Sequence, residues 1–426
     1  MILLVLIIGL AIRFVFMPIT SSPFDIAAGW VAVTDGIYAG DTIYSSGWYF
    51  YPPIWGQLLS VTGVIGDFFG AGSFGDVFPS IYLHERLTIG YGFLTELGYN
   101  FFIKVPAVIF DVLAAWAGYA LVKRLTGDQK KAVIGFALMF LAPVVIMSSA
   151  MLNMFDSIMI FLMLLSLLTF MDERYFLTGI ILSLAVFTKV FALLIIPLML
   201  MYVLSNREIT LNERAKRIIY ALGGFLLITL LVYLPTILSG EFMDSLWFLT
   251  SRGSSYGGFS TNPDFSNIFF FLPIIAVMYI SAIIIMLLRK TEREKTFLWL
   301  VVLCLTMMFI FPFVSYTPTY GIVMLPAILI MYSLKGNIAI IPWILLIFFP
   351  LHGLLHYWEC MFYPLAAFTG FVDMESVVER FPSGGIYYTV QMLMSSAGMV
   401  MMAIMTHYLI KKKEVVEWIS TLRKSQ

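Results

Sequence analysis

The sequence predicts an all-α polytopic membrane protein: about ten transmembrane helices plus a hairpin of two short helices, with long outer loops. Three observations predict it. Of the 426 residues, 61% are hydrophobic and 12% charged, whereas a water-soluble domain carries roughly a quarter charged residues. The apolar residues gather in blocks of about 17–25, the length a helix needs to cross a ~30 Å hydrocarbon core. The basic residues are partitioned between alternate connections, as the positive-inside rule requires of a multi-pass chain.

The apolar blocks lie near 1–17, 102–122, 132–150, 155–171, 175–204, 217–238, 268–288, 296–313, 318–334, 337–355 and 387–410. The first has no basic flank and no small-residue cleavage site, so it is read as a retained helix rather than a signal peptide. One set of connections holds 19 of the 25 basic residues, among them Lys123, Arg124, Arg174, Arg214, Arg217, Arg293 and Lys295; the opposite set holds Arg86, Arg252 and Arg380. The first set is therefore expected on the cytoplasmic side. Block 175–204 has basic connections at both ends, so it is expected to enter and return as two short helices broken near Lys189. The other ten blocks then alternate.

The whole chain, 1–426, reads as one integral membrane domain. Its outer connections run about 18–101, 239–267 and 356–386, and the first carries seven carboxylates between Asp25 and Glu96. Function tends to sit on such long loops. The zero net charge implies no nucleic-acid partner. The two cysteines, Cys304 and Cys360, form no disulfide framework. Gly70 to Gly75 matches G-x-G-x-x-G, but no strand precedes it and the dinucleotide reading fails.

Several outer segments carry candidate chemistry, each with a plain structural alternative. Asp25 directly follows the first block; it is either a general base for an acceptor hydroxyl or a helix N-cap. Trp48 to Trp55, with Tyr51, Pro52 and Pro53, either anchors the chain at the interface or lines a groove for an isoprenoid tail. Asp156 sits in the turn between the third and fourth blocks, as a ligand or as a helix start. Lys189 lies inside an apolar block, where charge is costly and often functional; it either reaches a lipid phosphate or pairs with Asp111. Arg252, in the Gly/Ser-rich stretch 251–258, either cradles an anion or belongs to a plain polar loop. His352, His356 and Glu359 share an i, i+4, i+7 face, a candidate divalent-metal set or an interfacial polar cluster.

Taken in order, these pieces resemble the GT-C class of membrane glycosyltransferases, most nearly its GPI mannosyltransferase I and GT87-like branches. The matching elements are Asp25, Tyr51-Pro52-Pro53, Lys104-Val105-Pro106-Ala107 running to Asp111, Leu141-Ala142-Pro143, Asp156-Ser157, Gly179 to Lys189, and Arg252 to Asn267. They span roughly residues 1–335. The sequence departs from the D-x-D-like element of some relatives, because Asp25 is followed by Ile26-Ala27; this puts a divalent metal cofactor in doubt. The resemblance implies inverting transfer of a hexose such as mannose, from a polyprenyl-phosphate donor to a lipid or glycan acceptor, at the outer face of a prokaryotic cell membrane or, in a eukaryote, the endoplasmic reticulum. It implies Asp25 as base, Arg252 and Lys189 on the donor phosphate, and Asp156, Tyr51 and Pro52 around the substrate. A secondary transporter or lipid flippase is the alternative; no internal repeat supports it.

Overall fold

The computed structural model describes residues 1–22, 30, 33–34, 40–45, 49, 51–69, 78–79, 93–94, 97–246, 266–288, 292–307, 318–356, 361 and 365. They are helical almost throughout. The exception is one two-residue antiparallel ladder that pairs Phe78 with Leu94 and Pro79 with Phe93.

The helices in chain order are α1 (Ile2–Ile19), α2 (Pro53–Phe68), α3 (Leu97–Ile103), α4 (Val105–Thr126), α5 (Gln129–Phe140), α6 (Pro143–Ile146), α7 (Asp156–Met171), α8 (Tyr175–Thr188), α9 (Ile196–Leu204), α10 (Leu211–Leu238), α11 (Phe242–Leu246), α12 (Ser266–Leu288), α13 (Arg293–Met307), α14 (Met324–Lys335), α15 (Ile340–Leu345) and α16 (Phe348–His356). A π-helical turn, Met147–Met151, continues α6, and a 3₁₀ stretch, Val190–Ile195, leads into α9.

The sequence explains the helix ends. Pro106 in the first turn of α4 has no N–H to waste, and Gly127 closes the helix at φ 67, donating its amide to the Lys123 carbonyl at 2.8 Å. Asp128 caps α5 by accepting the amides of Lys130 and Lys131, and Thr210 caps α10 by accepting that of Glu213. Pro143 breaks the third apolar block, so that 129–140 and 143–151 meet at 44°.

Among the described residues, four helical runs are long and apolar enough to cross a membrane: Ile2–Ile19, Leu97–Thr126, Leu211–Leu238 and Thr319–Leu351. The bent pair makes a fifth. The sequence expectation of about ten is larger for two reasons. Asp156–Met171, Tyr175–Thr188, Val190–Leu204 and Ile275–Leu287 are apolar but short, and block 387–410 lies outside the described residues. The exposed residues Leu222, Leu226, Leu230 and Leu234 form one stripe on α10, the face such a helix offers to lipid tails.

Helix packing follows the small-residue rule of membrane bundles. At Gly179 on α8 an added Cβ would lie 1.9 Å from the Ala221 carbonyl oxygen, and at Gly224 on α10 one would lie 2.1 Å from that of Phe176. The two backbones therefore touch, and only hydrogen fits between them.

Charged side chains mark one end of the bundle. Arg124 reaches Asp172 at 3.3 Å and Glu294 at 3.4 Å, and Arg217 reaches Glu173 at 3.0 Å. Arg293 donates to the Tyr202 carbonyl at 2.6 Å. Residues 172–175 and 202–205 thus share this basic end. The chain between them leaves it along α8, breaks at Lys189 in an extended conformation (φ −156, ψ 132), and returns through α9.

Candidate functional site

Away from the basic end, the bundle interior holds a polar cluster that no apolar core would tolerate unpaired. Its first half fastens α1. Arg13, fully buried, donates from Nε to Asp111 at 2.7 Å, from Nη1 to the Gly9 carbonyl at 3.0 Å and from Nη2 to the Phe140 carbonyl at 2.8 Å; its guanidinium also lies over the Phe140 ring. Asp111 further accepts the hydroxyls of Ser149, at 2.5 Å, and Ser157. Lys104 donates to the Met17 carbonyl at 2.8 Å and to the Thr20 carbonyl, and Asn100 donates to Pro18 and Thr20. These charges have partners in every direction, so their work is to hold α1 in place.

The second half is less completely used. Asp156 opens α7, and its carboxylate accepts the Lys189 ammonium at 2.5 Å and, more loosely, the Ser148 hydroxyl at 3.5 Å. The side chains are 0% and 6% exposed. Asp156 is no side-chain cap, because no cap bond forms at this helix start. The ammonium also faces the rings of Tyr320 (4.6 Å), Phe155 (5.2 Å) and Phe191 (5.9 Å). The break in the hairpin is what brings Lys189 here: α8 ends at Thr188, and the extended residue turns into the cluster.

Phe155 belongs to an aromatic box. Trp55 stacks on it at 5.2 Å with planes 17° apart, Tyr51 meets it edge-on at 5.0 Å and Trp30 at 5.9 Å. Trp55 is fully buried, so the described part of the aromatic segment packs into the bundle rather than anchoring it at a lipid interface. Tyr49 holds the turn before α2: its hydroxyl donates to the Pro52 carbonyl at 2.8 Å and accepts the Gly56 amide at 2.6 Å. Burial raises the Tyr49 hydroxyl well above its ordinary range, and burial likewise raises Tyr44, helped by Tyr233 and Glu241 nearby.

The structure sorts the sequence candidates. Lys189, Asp156 and Tyr51 come together, with Pro52 in the turn beside them. Lys189 pairs with Asp156 and not with Asp111, whose partner is Arg13. Asp25, Arg252 and Glu359 lie outside the described residues, and His352 and His356 fall on α16. Among the described residues no three His, Cys, Asp or Glu side chains converge as a metal site. The sequence reading missed Arg13 and Ser149 as members of the cluster, and named Trp55 only within a wider segment. The clue was Arg13 itself, an arginine inside an apolar span, which must have a partner.

Residues 93–237, about a third of the chain, match the family described as dolichyl-phosphate-mannose-protein mannosyltransferase. No curated protein matches the chain. The matched segment contains Asp111, Ser149, Asn153, Asp156 and Lys189 and stops short of Asp25 and Arg252. The match supports a polyprenyl-phosphate-sugar-dependent membrane glycosyltransferase of the GT-C class.

Proposed function

We propose that this protein transfers a hexose, mannose by the description of the matched family, from a polyprenyl-phosphate donor to the hydroxyl of a lipid, glycan or protein acceptor, with inversion, outside the cytoplasm. The observation that carries the reading is the buried Asp156–Lys189 pair inside an aromatic box, at the end of the bundle away from the basic connections and within the matched segment. The basic end faces the cytoplasm, the chain crosses about ten times, and the site opens outward. Among branches of the class, the order of motifs from Asp25 to Arg252 favours the GPI mannosyltransferase I and GT87-like group.

Asp25, in the connection after α1, removes the acceptor proton as the hydroxyl attacks the anomeric carbon. The C1–O bond to the polyprenyl phosphate breaks, and the electron pair leaves with the phosphate oxygen. Lys189 and Arg252 stabilise the charge growing there. Asp156 keeps the ammonium in place and, with Tyr51 and Pro52, borders the sugar.

The test is transfer by purified protein supplied with polyprenyl-phosphate mannose. Asp25→Asn preserves size and removes basicity, so turnover falls about 10²–10⁴-fold while donor binding persists. An N-cap role leaves Asp25→Asn nearly silent; near-normal turnover eliminates Asp25 as the base. The helix breaks at Pro143 and Lys189 also suit a secondary transporter or lipid flippase, which binds at interrupted helices. Translocation of the lipid across a reconstituted vesicle without glycoside product is the result that reading requires.

A further inference from the structure

Buried polar atoms in a folded protein are nearly always bonded, and each exception asks for a partner. Among the described residues, such atoms include both side-chain polar atoms of Asn153, which is fully buried, and the indole N–H of Trp55. The other orphans are single atoms elsewhere, on Thr42, Asn100, Arg214 and Arg293. Asn153 also adopts the left-handed conformation, φ 54, which asparagine tolerates and most residues resist. Its carbonyl accepts the Trp30 indole N–H at 3.2 Å, and Trp30 contacts Trp55 at 5.7 Å and Phe155 at 5.9 Å. Asn153 and Trp55 are thus linked through Trp30, and Phe155, on which Trp55 stacks, also faces the Lys189 ammonium at 5.2 Å.

We infer that Asn153 and Trp55 form the subsite that recognises the hydroxyls of the transferred hexose, an inference that rests on the function proposed above. A carboxamide offers two donors and one acceptor side by side, and the indole adds a donor. That set is neutral and matches vicinal hydroxyls, each of which both donates and accepts. It does not match a phosphate, which lacks donors and for which Lys189 stands ready. A site built to hydrogen-bond a hydroxyl rejects an analogue that lacks it or points it elsewhere, because its own buried groups are then left unpaired. Asn153 and Trp55 are thus specificity-determining residues, and the sugar takes the place of water in satisfying them.

The experiment measures thermal stabilisation of the full-length protein, in detergent, by polyprenyl-phosphate mannose and by sugar-free polyprenyl phosphate. The same protein is assayed for kcat/KM with donors carrying mannose, glucose or galactose. Asn153→Gly keeps the backbone conformation and deletes the carboxamide; Trp55→Phe keeps a ring and deletes the N–H. In the wild type the sugar-bearing lipid stabilises more than the bare lipid. Each variant loses that difference, keeps the stabilisation by bare lipid, and shows a preference among the three sugars flattened by about tenfold or more. If both variants keep the sugar-dependent increment and the sugar preference, the orphan atoms serve a trapped water and the subsite is overturned. If kcat/KM falls equally for all three sugars, the residues are structural and the subsite is likewise overturned. If neither lipid stabilises the wild type, the glycosyltransferase reading itself fails, and the subsite with it.

Discussion

Replacing Lys189 by methionine separates a structural ion pair from a working one. The side chain is 6% exposed and its carboxylate partner 0% exposed, at 2.5 Å. Deleting the ammonium leaves the Asp156 carboxylate, among the described residues, with only the 3.5 Å contact from Ser148. Breaking a buried pair in this way costs about 3–5 kcal/mol, most of it the burial of an uncompensated charge. Removing both charges, as Lys189→Met with Asp156→Leu, takes that penalty away, and stability returns to within about 1–2 kcal/mol of the parent. Catalysis does not return. If Lys189 stabilises the departing phosphate, both variants lose about 10²–10³-fold in kcat, whatever their stability. The assay pairs equilibrium denaturation in detergent with turnover of polyprenyl-phosphate mannose. Recovery of turnover in the double variant, in step with its stability, refutes the catalytic role and leaves the pair as a clamp between α7 and the hairpin.

Three further outcomes follow from the packing and the charge pattern. Gly224→Val drives a side chain into the Phe176 carbonyl, 2.1 Å from the first added carbon; it separates α8 from α10 and lowers the melting temperature more than Gly223→Val, whose added carbon meets only Phe176 at 4.0 Å. Cysteines introduced at Asp76 and Ser255 react with impermeant reagents applied from outside, and labelling only after permeabilisation inverts the assigned orientation. Burial raises the Tyr49 hydroxyl above its ordinary value of 10.0, so its contribution to stability is complete below about pH 10 and is lost as the pH climbs beyond. Denaturation profiles of the parent and Tyr49→Phe therefore converge in alkali.

Much of this architecture was legible in the chain because bilayers impose strict lengths and charge rules. The break at Lys189 followed from a lone cation within a run of about 30 apolar residues flanked by basic connections at both ends. Which charges pair was not legible. Lys189 has two candidate partners, Asp111 and Asp156, and the choice depends on how α4 and α7 are rotated about their axes, which periodicity alone leaves open. Counting intramembrane charges narrows it, because Arg13 also needs an anion. The aromatic segment stayed ambiguous for a related reason. Trp and Tyr are favoured at lipid interfaces and in aromatic boxes alike, and only the stacking of Trp55 on Phe155 distinguishes them. The orphan atoms of Asn153 have no signature in sequence, since an asparagine before a helix reads as an ordinary turn residue.

The partnership of Arg13 with Asp111 has a consequence for how the protein is made. The two are 98 positions apart, so the first helix leaves the ribosome long before the carboxylate that neutralises it. At about 5–20 residues per second, the arginine waits some ~5–20 s without its anion. During that interval an arginine at mid-helix opposes insertion by about 2.5–3.5 kcal/mol, against the favourable transfer of its apolar neighbours. That cost is relieved only when α4 arrives and supplies the anion. The ion pair that anchors the finished bundle also sets the order in which its parts can settle.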